Sequence, residues 1–441
     1  MSTTATLRVE PGLPLLGNLL AFRRDRLGFQ MKVADAGITR TRVAWRTVYI
    51  VTDADLAHEV LVDKDDCFIK GPGLSVVARP LLGEGLLTAE KDFHRRSRRL
   101  LAPAFTPKRM AGYAATMAER AVAHAARVRP GAMIDIADRM MSTTLDIVGN
   151  TLFDADLSGD AAAVGEALTE AMEYVLSAVL SAVPLGWPTP RRKRGLAAVA
   201  RLDEVVLRVI ADRRAGGGDR GDVLSMVLAA RDDDGTGFTD RHVRDEIMTL
   251  MLAGHETTAN LLAWVWYVLA TEPAVRARLD AELDEVLAGR PPTYDDLPRL
   301  PVTLAILEET LRLFPPAHTI ARQADRDVEI GGVPIAAGSI VTISVVAMQR
   351  RAAYWDEPLA FRLERFLGAD RKARRPGYLP FGAGPRVCIG NHFALVEAQL
   401  ILAAWAQRFH FRLAQPAPLE LEPLLTLRPK GGVWVEPIAR R

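Results

Sequence analysis

Apolar residues recur at three- and four-residue intervals through most of the 441-residue chain, the spacing of helices that bury one face. Three stretches depart from that period. Thr39–Ala44 and Thr47–Thr52 are rich in Val, Thr, Tyr and Ile and predict a β-hairpin. Val328–Val345 sets short β-branched runs between the turn signals Gly331-Gly332 and Ala337-Gly338, and Leu424–Pro437 predicts a terminal hairpin about Lys430-Gly431-Gly432. Breaks at Gly186–Pro190, Ala215–Gly221 and Asp232–Gly237 are polar or Gly/Pro-rich and predict surface loops. The fold class is therefore mainly α with small β-sheets near both ends. No internal repeat is visible.

The longest apolar pattern is the most informative. Thr239 or Asp240 can cap a helix that Pro273 stops after Thr271. At 1.5 Å per residue it is about 48 Å long, enough to cross the whole molecule. Its flanks, Ile247–Ala253 and Leu261–Ala270, read like a membrane span, but its middle holds Gly254, His255, Glu256, Thr257, Thr258 and Asn260. A charged centre argues against lipid and for a buried functional site. The N-terminal apolar run Leu13–Phe22 is broken by Gly17 and Asn18 and falls short of the roughly 20 residues a span needs. A soluble chain without membrane anchor is expected.

Charge excludes two further classes. Lys and Arg total 56 against 54 Asp and Glu, a net +2, so no strong field points to nucleic acid or an anionic membrane. The two cysteines, Cys67 and Cys388, make no disulfide framework and suit a reducing cytoplasm. Cys67, in Asp65-Asp66-Cys67-Phe68, has no metal-ligand spacing and reads as structural.

Cys388 differs. It ends the glycine-rich run Phe381-Gly-Ala-Gly-Pro-Arg-Val-Cys388 and precedes the helical period Ile389–Arg408. A sulfur at a helix N-terminus meets the positive end of the macrodipole, which favours thiolate. Gly382, Gly384 and Gly390 let backbone approach a flat cofactor, and Arg386 places a cation nearby. An isolated cysteine in a turn would read as inert. Here every fixed position of Phe-x-x-Gly-x-Arg-x-Cys-x-Gly is present, and the chain resembles the cytochrome P450 superfamily of heme-thiolate monooxygenases. The resemblance runs nearly end to end, so residues 1–441 are expected to form a single cytochrome P450 domain of the soluble bacterial type. It implies heme b (iron protoporphyrin IX) bound through Cys388, in a cradle that includes Phe381, Gly382 and Gly390. A thiolate ligand pushes electron density onto the iron and favours O–O cleavage.

The segment Ala253-Gly254-His255-Glu256-Thr257-Thr258 matches the family's oxygen-activation motif. A mid-helix threonine can bond the carbonyl four residues back, here Ala253, and loosen the helix. Gly254 would leave room for oxygen and water, Thr257 would hydrogen-bond the reacting oxygen, and Glu256 would relay protons from solvent. His255, at the variable position, reads as a packing or surface residue. The resemblance gives the heme propionates four cationic contacts: His94 and Arg98, one helical turn apart, then Arg322 and Arg386. Arg95, Arg96 and Arg99 read as a solvated basic face or a docking surface. Glu309 and Arg312 match the Glu-x-x-Arg pair, and Arg365 the arginine that joins it. Their role is structural. Leu363 stands where proline is usual, and Gln349-Arg350-Arg351-Ala352 where Asn/His-Arg-Asp-Pro is usual.

By the same layout the substrate pocket draws on Leu250, Met251, Ala317, His318, Thr319 and Leu425, with Ser75, Val76, Val77, Ile247 and Thr426 nearby. The lining is mostly apolar and suits a lipophilic substrate, with Ser75, His318, Thr319 and Thr426 as polar handles. Terpenoid or fatty acyl substrates are favoured, and polyketides stand close. Electrons are expected from NAD(P)H through a ferredoxin (or flavodoxin) and its reductase, docked on Arg371, Lys372, Arg374 and Arg375 by complementary charge. A monomer is expected. A peroxide-driven peroxygenase and a heme-binding sensor without turnover remain the alternatives, and neither needs a Glu256–Thr257 relay.

Overall fold

The Thr239 hydroxyl accepts the His242 N–H and closes the N-terminus of a 32-residue helix, Asp240–Thr271, with Pro273 opening the next helix. In the computed structural model, which describes residues 5–179, 187–231, 235–368 and 375–440, this long helix is the axis of the molecule. The helices Ile136–Leu152, Pro190–Gly216, Pro301–Leu313 and Asn391–Ala406 pack around it. Trp264 and Trp266 are fully buried along it, and Trp264 stacks on Phe314 with centroids 4.4 Å apart. No helix among the described residues is long and apolar enough to cross a membrane.

The expected hairpin forms: Ile38–Val43 pairs antiparallel with Arg46–Val51. It belongs to a six-stranded sheet in the spatial order Leu7–Val9, Ile38–Val43, Arg46–Val51, Ile340–Ile343, Ile320–Ala324, Phe68–Lys70. In its last pair, Lys70 stands directly opposite Arg322. Gly331-Gly332 turns a small hairpin between Val328–Ile330 and Val333–Ile335.

The terminal hairpin is not where the glycines suggest. The paired strands are Leu421–Pro423 and Leu427–Pro429, turning through Leu424-Leu425-Thr426. Trp434–Ala439 instead pairs with Phe409–Leu413 and with Ile134–Asp135. Gly432 sits at φ +82°, where a Cβ would strike the Asp135 carboxylate. That glycine serves a close passage past a distant strand, not a tight turn between neighbours.

Glu309, Arg312 and Arg365 form the expected buried knot. Arg312 makes two 2.7 Å bonds to Glu309, and Arg365 Nε adds a third at 3.2 Å. Arg312 also donates to the carbonyls of Gln349, Pro358 and Ala360 and lies over the Trp355 ring. The substituted Gln349 is fully used: its amide donates to Leu311 and Arg312 carbonyls and its oxygen accepts the Leu379 N–H. Leu363, in place of proline, is simply buried. Removing one partner of such a knot strands a desolvated charge. Glu309→Ala is therefore expected to cost about 3–5 kcal/mol in denaturant titration, with the unfolding midpoint falling accordingly.

Candidate active site

The cysteine loop is shaped by two glycines in the left-handed region, Gly382 (φ +73°) and Gly384 (φ +70°); a Cβ on Gly384 would collide with the Leu61 carbonyl. Gly390 has no such constraint, and its nearest neighbour would be Phe105 at 3.9 Å. The Cys388 N–H donates to the Phe381 carbonyl at 2.9 Å, and Arg98 Nη1 donates to the Val387 carbonyl at 2.7 Å. Cys388 keeps exposed surface but is surrounded by protein on nearly every side, as the wall of an interior cleft is. The expected helix-terminal activation of the sulfur is overridden. The helix begins only at Asn391, and burial pushes the thiol pKa up against the weaker pull of the Gly390 N–H and Arg98. On its own the sulfur is a thiol; a coordinated metal would take its proton outright.

His94, Arg98, Arg322 and Arg386 are brought together as expected, and Lys70 joins them. Lys70 and Arg322 are both buried and face each other across adjacent strands. Burial, with Arg322 and Arg386 beside it, lowers the Lys70 pKa to about 7. Burial lowers Arg322 to about 10 and leaves its Nε without a partner. His94 is held neutral, at about 3, by burial and by Arg386, Lys70, Arg98 and Arg322. Against these cations stand Glu90, 2.5 Å from Arg386, and Asp65, 3.9 Å away. Three arginines and a partly protonated Lys70 facing two carboxylates leave an excess of positive charge that suits a buried dianion.

In the middle of the long helix, Thr257 Oγ1 donates to the Ala253 carbonyl at 2.6 Å, as the spacing required. Ala253 is exposed although Met251, Leu252, His255 and Glu256 around it are buried, so it too lines a cleft. Gly254 does not make an opening: a Cβ there would lie 3.2 Å from Val148 Cγ2, and the glycine serves the contact with Ile136–Leu152. His255 is buried, its pKa lowered to about 4 by desolvation, and is a packing residue. Glu256 is buried rather than open to solvent. Its Oε1 accepts the Thr426 hydroxyl at 2.5 Å and the Asn260 amide at 3.5 Å, and Asn260 also donates to Thr426 at 3.1 Å. Desolvation raises the Glu256 pKa to about 7.

The expected pocket residues divide. Ala317 and Leu425 are exposed. Met251 is buried, because two residues from Ala253 is just over half a turn of the helix and cannot share its face. Leu250 shares that face but is buried in the core. His318 is buried and turned to Thr319 and the Leu424 carbonyl, with its pKa lowered to about 3 by burial and Arg26. Thr319 donates to Gln30. Arg95 pairs with Asp92, Arg96 donates to the backbone of Thr236 and Gly237, and Arg375 to that of Arg365. Arg371, Lys372 and Arg374 lie outside the described residues.

The profile of the family described as Cytochrome P450 matches residues 7–435. The chain belongs to the cytochrome P450 family. It is 37% identical to cyclooctatin synthase of Streptomyces melanosporofaciens, over 94% of this chain and 92% of that one. It is 36% identical to cyclooctat-9-en-7-ol 5-monooxygenase of the same organism, over 92% and 90%, and 32% identical to pentalenene oxygenase of Streptomyces avermitilis, over 95% and 94%. It is a cytochrome P450 monooxygenase, and the family carries heme. The residues fit that group: one sulfur in a glycine-shaped loop, and a buried cationic excess suited to two propionates.

Two residues of this P450 escaped the sequence reading. Lys70 follows an ordinary strand signal, and only its pairing with Arg322, far along the chain, reveals it. Glu397 is a fully buried carboxyl in the helix after Cys388, its pKa pushed well up by desolvation, facing Thr258. A lone acid inside the apolar period of Asn391–Ala406 was the available signal. Arg322→Leu is expected to speed heme loss to a scavenging apoglobin by about ten- to a hundredfold, from a charged hydrogen bond worth ~1.5–3 kcal/mol.

Proposed function

We propose that this P450 oxidises an apolar terpenoid at an unactivated C–H bond, taking electrons from NAD(P)H through a separate ferredoxin and reductase. The observation that carries the substrate class is the fate of the polar handles. Ser75 donates to the Gly71 carbonyl and Thr426 to Glu256, while the Thr319 hydroxyl is placed between Gln30 and one ring nitrogen of His318, whose other nitrogen faces the Leu424 carbonyl. Each is spent within the protein, so none offers a fatty acyl carboxylate a partner, and a hydrocarbon skeleton held by shape suits the remaining apolar lining. The names of the relatives point the same way. The proposal takes residues 1–441 as a single domain, active as a monomer in the cytoplasm.

The reaction consumes O₂, two electrons and two protons, and yields the hydroxylated substrate and water. Heme held by Cys388 supplies the reductive activation of O₂. Cys388 would give the sulfur ligand, and Arg98, Arg322, Arg386, Lys70 and His94 would hold the propionate edge. The Thr257 hydroxyl, fixed on the Ala253 carbonyl, borders the cleft where a proton is needed. Glu256 holds that proton below its raised pKa, and Arg428 is the charged group that opposes the rise.

Two experiments test this. The reduced, carbon monoxide-bound holoprotein is expected to show the strongly red-shifted Soret band of a thiolate ligand, and Cys388→Ala to lose it. Pentalenene, added as a probe with ferredoxin, reductase and NADPH, is expected to shift the resting spectrum and gain one oxygen; a shift with palmitate and none with terpene hydrocarbons would sink the substrate class. Coupled product formation is expected to fall as pH rises through about 7, where Glu256 loses its proton. Glu256→Gln should lower turnover by about 10²-fold and flatten that limb of the profile.

A further inference from the structure

Glu256 lies buried between the long helix and the hairpin Leu421–Pro429, and both of the side-chain hydrogen bonds it accepts end on the same oxygen, Oε1. The direction of these bonds is fixed by chemistry. The Asn260 amide nitrogen can only donate, so Thr426 Oγ1 accepts from it at 3.1 Å. Among the described residues the Thr426 hydroxyl proton has no acceptor other than Glu256 Oε1, at 2.5 Å. An oxygen that receives this short bond is a poor place for the acid's own proton, which is left to Oε2.

We propose that Thr426 is the positioning residue of the proton-donating acid: oriented by Asn260, its hydroxyl pins Glu256 Oε1 and confines the transferable proton to Oε2. This rests on the monooxygenase reading of Glu256. It gives the hairpin a part in proton delivery beyond its part in lining the pocket, since Thr426 directly follows Leu425, the exposed residue of the turn. Substrate pressing on that turn acts on the bond that sets the acid. Arg428, further along the same hairpin, is held by Glu422 at 2.6 Å and by Thr169 at 3.3 Å, which steadies the strand from which Thr426 projects.

The test uses holoprotein at pH 6, where Glu256 is protonated, and four variants. The infrared C=O band of Glu256, identified as the one lost in Glu256→Gln, is expected to move to higher frequency in Thr426→Val, which keeps the side-chain volume and removes the donor. Thr426→Ser should restore it, and Asn260→Ala should shift it in the same direction by less. In air, with ferredoxin, reductase, NADPH and pentalenene, Thr426→Val should divert severalfold more electrons to hydrogen peroxide than the parent, and Thr426→Ser should match the parent. The carbon monoxide band serves as the check on heme ligation and folding; were Thr426→Val not to fold, Asn260→Ala carries both measurements. An unmoved C=O band, or Thr426→Ser behaving as Thr426→Val, overturns the proposal. Failure of the parent to oxidise pentalenene would count against the substrate reading alone, because the infrared measurement decides the role of Thr426 without it.

Discussion

Lys70 and Arg322 stand opposite each other on neighbouring strands, both buried. Like charges in that register repel, and the interior gives them little solvent to screen the repulsion. Arg386 adds to the same field and Arg98 to that on His94 beside it, and Glu90 and Asp65 answer only part of it. The arrangement suits a partner carrying two negative charges. It also joins distant parts of the chain: the sheet edge, the helix Lys91–Leu101 and the cysteine loop meet around this one electrostatic demand. The position of Cys388 follows, because Arg98 holds the Val387 carbonyl next to it.

The buried acids of this P450 divide by how completely they are answered. Glu309 receives two arginines and the Arg362 N–H, and the frame beside the cysteine loop is locked by it. Glu256 and Glu397 are equally buried, but Glu256 accepts hydrogen bonds only from a hydroxyl and an amide and Glu397 faces only the Thr258 hydroxyl, so the neutral form prevails up to a higher pH. A satisfied carboxylate is a strut, whereas an under-satisfied one can carry a proton. The long helix hosts the second kind where Thr257 turns its hydroxyl back on the Ala253 carbonyl.

Local chemistry was legible in the sequence, and distant pairing was not. The cap at Thr239, the stop at Pro273 and the polar interruption of the long helix each act within a few residues, and each stands where the pattern put it. The sulfur loop and the Glu309–Arg312 pair were readable because a fixed spacing encodes them. Lys70 needed a strand partner some 250 positions away. Lys430-Gly431 does turn the chain, but the strands on either side pair elsewhere, and Gly432 clears the Asp135 carboxylate of another strand. Met251 was placed in the pocket by the family layout, and the helical period turns it into the core instead. The helix-terminus argument for a thiolate left out desolvation, which is the larger effect on the unliganded sulfur.

That protonated sulfur has a bearing on how the enzyme is assembled. In the folded protein, burial keeps Cys388 a thiol and so a weak nucleophile towards oxidants and alkylating agents until the porphyrin arrives. Cofactor insertion then expels a hydrogen ion, which makes maturation easier in mildly alkaline surroundings than in acid ones.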